Sequence, residues 1–167
     1  MINTCTYPTP VGDLTVLARD VDGQAVVVAA GFCPAEDLFE RLPHSEREDV
    51  LAVDELGPLQ GPILRYLDGD VAALGEVPVD QSGTELQRSV WEGLRAIPPG
   101  QTRTYAELAE RAGRPRAVRA VGSACGRNLI APFIPCHRAL RSDGSLGGYY
   151  YGLDVKRWLL AHERAGR

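Results

Sequence analysis

The feature that most constrains this chain is a change of hydrophobic period near residue 83. Before it, short β-prone runs at 4–7, 14–18 and 25–30 are separated by turn sequences at 10–13 and 20–23, the pattern of a meander. After it, Leu86, Val90, Trp91, Leu94 and Ile97 recur at spacings of three and four, marking one apolar face of a helix. The chain is therefore expected to be α+β. A small N-terminal sheet domain with flanking helices is predicted over 1–80, and a mostly helical domain over 81–167.

The flanking helices are predicted near 34–42 and 59–67. The acidic stretch 44–55 reads as a surface connection, and 69–83 as the linker between the halves, with a strand at 76–80. In the second half, Pro98-Pro99-Gly100 stops the first helix. Thr104-Tyr105-Ala106-Glu107 has capping-box form, in which Thr and Glu satisfy exposed amides at a helix start. Helices are thus predicted over 105–111 and 116–126, joined by a tight Gly-containing turn in a helix-turn-helix pattern. A last amphipathic helix is predicted over 154–164, with Val155, Trp158, Leu159 and His162 on or near its inner face.

Charge separates the two halves as sharply as periodicity does. Residues 1–80 carry 15 acidic and 4 basic side chains, residues 81–167 carry 7 and 14, and eight arginines fall within 101–141. Such asymmetry points to a polyanion-binding second half, the alternative being a solvated basic face. The 116–126 helix sets Ala117, Ala120, Gly122, Ser123 and Ala124 among Arg116, Arg119 and Arg127. Small residues allow close approach and arginines meet phosphates, although the same composition serves tight helix packing. No apolar run is long enough to span a membrane, and the first residues lack the form of a signal peptide, so a cytoplasmic location is expected.

Cys5, Cys33, Cys125 and Cys136 are widely spaced without a C-x-x-C, which favours free thiols over a disulfide framework or a regular zinc site. Cys136 stands out because it lies in Ile134-Pro135-Cys136-His137-Arg138. A neighbouring His or Arg can lower a thiol from its ordinary pKa of about 8.5 into a reactive range. A buried structural cysteine is the competing reading.

From Gly83-Thr84 through Val90-Trp91, Thr104-Tyr105, Glu107-Leu108-Ala109, Arg119-Ala120-Val121-Gly122, Asn128, Pro135-Cys136-His137-Arg138, Tyr149, Lys156 and Glu163, the second half closely resembles the methylated-DNA–protein-cysteine methyltransferase family. The match runs in order over 83–163. The first 80 residues resemble the family's variable, ribonuclease H-like sheet domain only in general character.

The resemblance implies direct-reversal DNA repair. An alkyl group, chiefly methyl, passes once and irreversibly from the exocyclic oxygen of guanine to Cys136, after the base has been flipped from duplex DNA. It implies His137 as base acting through a water, Glu163 orienting that imidazole, Tyr105 as proton donor to the leaving guanine and Asn128 as the hinge to the cysteine segment. Minor-groove contacts are implied for Arg119, which fills the gap left by the flipped base, and for Thr104, Arg116, Ala120, Gly122, Ser123 and Arg127. The substrate pocket is expected to involve Pro135, Arg138, Tyr149, Tyr150 and Tyr151, with no cofactor or metal, in a monomer.

Four positions depart from the family pattern: Leu129 and Ala139 replace Pro and Val, and Tyr150-Tyr151 stand where small residues usually follow the first tyrosine. The alternatives are a lesion binder whose pocket those rings narrow, a Cys–His hydrolase, and a structural zinc on Cys5, Cys33 and His44.

Overall fold

Asp22 and Gly23 both hold positive φ, 53° and 83°, the two-residue turn whose twist matches flanking antiparallel strands. Asp20 Oδ1 accepts from Gly23 N at 2.8 Å. This turn joins β2 (Leu14–Val21) to β3 (Gln24–Gly31), and β1 (Ile2–Tyr7) pairs antiparallel with the other side of β2. All residues, 1–167, are described by this computed structural model. They form two compact units, 1–81 with 129–133 and 82–128 with 134–167.

In the first unit, α1 (Ala35–Arg41) lies against the meander, and Leu38 joins Ile2, Leu17, Val28, Ala29, Leu42 and Leu129 in the core. Three findings differ from the sequence reading. The 44–55 connection contains a strand, β4 (Val50–Ala52), parallel to β1 at the sheet edge. All three of its residues are exposed, so no alternation marked it; it is held by backbone bonds such as Ile2 N to Asp49 O, 2.8 Å, and Val53 N to Thr4 O, 2.9 Å. Beyond α2 (Gln60–Leu67), the expected linker is packed, with Val71, Ala73, Leu74 and Val77 buried. Its strand at 76–80 reduces to one bridge, Val79 with Val27, after a 3-10 turn at Ala73–Glu76.

The segment 129–133, although late in the sequence, also belongs to this unit. Ala30 N donates to Leu129 O at 2.8 Å, and Ala131 N donates to Ala30 O at 3.1 Å.

In the second unit, α3 (Glu85–Arg95), α4 (Tyr105–Arg111) and α5 (Val118–Gly126) pack on one another. Thr84 with Gln87, and Thr104 with Glu107, form capping boxes at the starts of α3 and α4. α5 begins two residues later than the expected 116. Trp91 is buried and its Nε1 donates to Ala124 O at 3.0 Å, fastening α3 to α5. A two-residue parallel pair, β5 (Arg103–Thr104) with β6 (Ala139–Leu140), sets the start of α4 beside the chain leaving the Cys136 stretch.

α6 (Leu153–Ala165) closes the unit, but with a different inner face from the one expected. Val155 and Leu159 are buried with two ionisable residues, Lys156 and Glu163. Trp158 and His162 are half-buried and stack on each other, ring centroids 4.7 Å apart. No helix is long and apolar enough to cross a membrane.

Gly83 is where close packing forbids a side chain. A Cβ there would lie 2.6 Å from the Trp91 ring and 2.8 Å from Gln87 Oε1. The ring is tethered at Nε1 and the amide is engaged in its capping box, so neither can retreat freely. Gly83→Ala is expected to lower stability by about 1–3 kcal/mol, measured as a drop in the urea midpoint at unchanged slope.

Candidate functional site

The Cys136 stretch folds into two successive tight turns. Pro135, at φ −85° and ψ 67°, lets Cys136 N reach back to Ile134 O at 2.9 Å. Arg138 N then bonds Pro135 O at 3.0 Å, making Cys136–Arg138 one 3-10 turn rather than an extended segment. All three residues are buried. Asn128, also buried, follows α5 and donates from Nδ2 to Ile134 O at 2.7 Å and to Cys136 Sγ at 3.3 Å. One amide thus ties the turn to the helix end and puts a donor on the sulfur, where it favours negative charge.

His137 points from the same turn toward α6. Its Nε2 lies 2.9 Å from Glu163 Oε2, which makes Nε2 the hydrogen-bearing nitrogen and leaves the lone pair on Nδ1. Nδ1 is buried and has no hydrogen-bond partner in the protein, so it makes no direct bond to the neighbouring sulfur. Arg138 grips the same carboxylate through Nε to Oε1 at 2.8 Å and Nη2 to Oε2 at 3.0 Å, and Nη1 donates to Ile97 O at 2.7 Å.

Burial pushes His137 below its ordinary pKa and outweighs the raising effect of Glu163, so the imidazole is neutral near pH 7. Burial alone would raise Glu163, but its hydrogen bonds and the charge beside it hold it well below the usual carboxylate range. Because His137 is neutral, Arg138 is the full positive charge in that pairing.

Cys136 opens on a cavity of about 480 Å³ lined by Tyr105, Val118, Arg119, Gly122, Cys125, Gly126, Arg141, Gly147, Gly148, Tyr149 and Tyr150. Tyr105 is pushed up to about 12 by burial, then by the charges of Cys125 and Cys136, so it is a protonated donor at neutral pH. Gly147, at φ +70°, lets the loop press on that ring; a Cβ there would stand 3.0 Å from Tyr105 Oη. Lys156, fully buried, ties the loop down through Nζ bonds to Ala139 O at 2.8 Å, Gly148 O at 3.2 Å and Leu146 O.

Of the residues singled out in the sequence, Cys136, Tyr105, Arg119, Gly122, Tyr149 and Tyr150 meet at the cavity. Asn128, His137 and Glu163 stand behind the sulfur. Pro135, Arg138 and Tyr151 are not in the lining; Pro135 shapes the turn, Arg138 is spent on Glu163 and Ile97, and Tyr151 packs edge-on against Tyr149 and Tyr150. Tyr150 is 61% exposed and turned largely outward. Arg119, Ala120 and Ser123 are exposed along α5, and Arg116 and Arg127 just before and just after it, opposite the buried Val121, Ala124 and Cys125; Thr104 caps α4.

Lys156, Arg141, Cys125 and Gly147 carried no assigned role in the sequence reading. A charged residue sharing a helical face with Val155 and Leu159 was the available signal for Lys156. No group of three or more His, Cys, Asp or Glu side chains is arranged to hold a metal ion, so the zinc alternative finds no ligand set. The hydrolase alternative lacks the sulfur–imidazole bond it needs.

Residues 85–165 match the family described as 6-O-methylguanine DNA methyltransferase, DNA binding domain. The chain is 38% identical to a methylated-DNA–protein-cysteine methyltransferase of Haemophilus influenzae, over 95% of this chain and 84% of that one. It is 44% identical to one of Shigella flexneri, over 93% and 91%. Among solved structures, Mycobacterium tuberculosis O6-methylguanine methyltransferase superposes with a TM-score of 0.77 at 31% identity, covering 100% of this chain and 95% of that one. The M. tuberculosis OGT in complex with DNA gives 0.75 at 32%, covering 98% and 93%.

The amide on the sulfur makes a direct prediction. Asn128→Ala removes a buried donor both from Ile134 O and from Sγ. Cys136 in that variant is expected to lose at least about tenfold of its alkylation rate, a bond to a charged group being worth about 1.5–3 kcal/mol. The rate at which a small thiol-alkylating reagent modifies this sulfur, followed by peptide mass, checks it.

Proposed function

The chain belongs to the methylated-DNA–protein-cysteine methyltransferase family, whose members repair DNA by alkyl transfer, and on that premise we propose that Cys136 is the acceptor for the exocyclic alkyl group of guanine. The observation that carries this reading is the polarity around one sulfur. Cys136 Sγ faces a cavity, receives the Asn128 amide, and is followed by a neutral imidazole whose unpartnered Nδ1 can take a proton.

The chemistry then balances. Cys136 gives its proton to a bridging water, which passes one on to His137 Nδ1. The thiolate attacks the methyl carbon in line; the S–C bond forms as the C–O bond breaks, and its electron pair stays on guanine. Tyr105 protonates that leaving anion and regains a proton from solvent, to which His137 releases the one it took. The thioether has no route back, so each molecule reacts once.

A base inside a duplex cannot reach a cavity of this kind, so the lesion is flipped out. The exposed face of α5 supports a minor-groove docking surface: Ala120, Gly122 and Ser123 keep the helix slim, while Arg116, Arg119 and Arg127 meet the backbone. Arg119 also lines the cavity, which suits it to fill the space vacated by the base. The protein acts as a monomer with no cofactor.

Incubation with duplex DNA carrying O6-methylguanine is expected to add one methyl, on Cys136, to one equivalent of protein, read by intact mass and peptide mapping. Cys136→Ser should gain nothing, and turnover beyond one equivalent contradicts the reading. Arg119→Ala is expected to lose at least about tenfold in transfer from duplex DNA, where flipping must be stabilised, while reacting normally with the free modified base. Tyr149 at the cavity wall is expected to favour methyl over benzyl adducts by about tenfold or more; equal single-turnover rates would assign it no such role.

A further inference from the structure

The proposed mechanism leaves one buried group without a task. Arg138 follows Cys136 and His137, yet it lines no part of the cavity and touches no reacting atom. Its side-chain bonds go inward, two to Glu163 and one to Ile97 O. We infer that Arg138 is a positioning residue: by seating its guanidinium on both oxygens of Glu163, it keeps Nδ1 of His137 free of a proton and able to accept the one leaving Cys136. This rests on the reading in which His137 takes that proton.

The reasoning is a count of protons and charges. Glu163 is a buried carboxylate, and a buried charge needs a partner. With Arg138 in place, the ion pair is complete without His137, and one hydrogen lies between Nε2 and Oε2. Without Arg138 the carboxylate would recruit its charge balance by binding a second proton on the His137–Glu163 pair. That proton can be described as imidazolium beside carboxylate, or as carboxylic acid beside an imidazole protonated at Nδ1. In both descriptions Nδ1 carries hydrogen and can no longer accept one.

The surrounding charges do not replace Arg138. Lys156, from α6, is tied by three carbonyls to the 146–148 loop and β6. Arg95, from α3, is pushed below its ordinary value by burial and then by Arg138, so it is a second guanidinium beside the first. Cys136 lies on the same turn, and Tyr105 and Cys125 face it from α4 and α5. Arg138 holds both oxygens of Glu163 in two-bond geometry, the strongest arrangement a guanidinium offers.

The sign follows. In the parent protein His137 is held below its ordinary value, so the acid limb of the transfer rate should lie below the range in which an ordinary imidazole titrates. In Arg138→Met, the pair holds its extra proton to higher pH, and the acid limb of the transfer rate is expected to move up by about one unit or more, the size of a lost neighbouring charge. The ¹⁵N spectrum of His137, recorded without DNA, should show Nδ1 changing from lone-pair-bearing to hydrogen-bearing in the same range. Arg138→Lys, which keeps the charge, should stay near the parent in both readouts. The double variant Arg138→Met with Glu163→Gln removes the carboxylate charge as well and should return Nδ1 to its unprotonated state.

An Arg138→Met protein whose Nδ1 and pH profile overlay the parent's would overturn the proposal. So would a double variant that stays as shifted as the single one, or that unfolds with it; unfolding of Arg138→Met relieved in the double variant would support it. The spectrum does not depend on alkyl transfer, so failure of the acceptor reading and failure of this one are separately visible.

Discussion

The second unit depends on a buried carboxylate. Glu163 lies on the inner face of α6 and receives His137 at 2.9 Å and Arg138 at 2.8 and 3.0 Å. Taking such a charge out of water costs several kcal/mol, recovered only when the geometry is good and the remaining lone pairs are satisfied. That condition explains why two consecutive side chains of one 3-10 turn face the same helix. The turn presents His137 and Arg138 to Glu163 and leaves Cys136 facing the cavity, so the sulfur's exposure to substrate follows from what its neighbours must bury.

A second polar anchor works from the other side. Asn128 holds the turn at Ile134 O and Cys136 Sγ, and it directly follows α5, whose exposed face carries the arginines and small residues. Lys156 does the equivalent for the loop over Tyr105. The cavity is therefore bounded by elements fixed through the buried hydrogen bonds of Asn128 and Lys156, which hold side chains more narrowly than apolar packing does. A site that must align sulfur, alkyl carbon and leaving oxygen in one line benefits from that rigidity.

Much of this was legible in the sequence wherever the signal is local. The spacing of Val90, Trp91 and Leu94, the Thr104–Glu107 capping box and the Asp22-Gly23 turn each depend on residues within a few positions of one another, and each is present. The ordered motifs from Gly83 to Glu163 named the family. What escaped was non-local. β4 has three exposed residues and exists through backbone bonds to β1, some fifty positions away. The segment 129–133 joins a sheet whose nearest strand ended a hundred residues earlier. Arg138 looked like a pocket residue from its neighbours, and only the position of α6 reveals that its charge is already committed. Trp158 and His162 look like an inner face because they are large rings, but the buried positions went to Lys156 and Glu163, whose partners lie elsewhere in the chain.

The claim that the Glu163 carboxylate organises the chemistry, and not only the fold, is tested most directly by Glu163→Gln, an isosteric loss of charge. Single-turnover methyl transfer and affinity for duplex DNA should be measured on the same preparation. The account predicts a transfer rate lower by about 100-fold or more, the contribution expected of a positioned base, with DNA affinity unchanged. Transfer at the parental rate in a protein that binds DNA normally would contradict it.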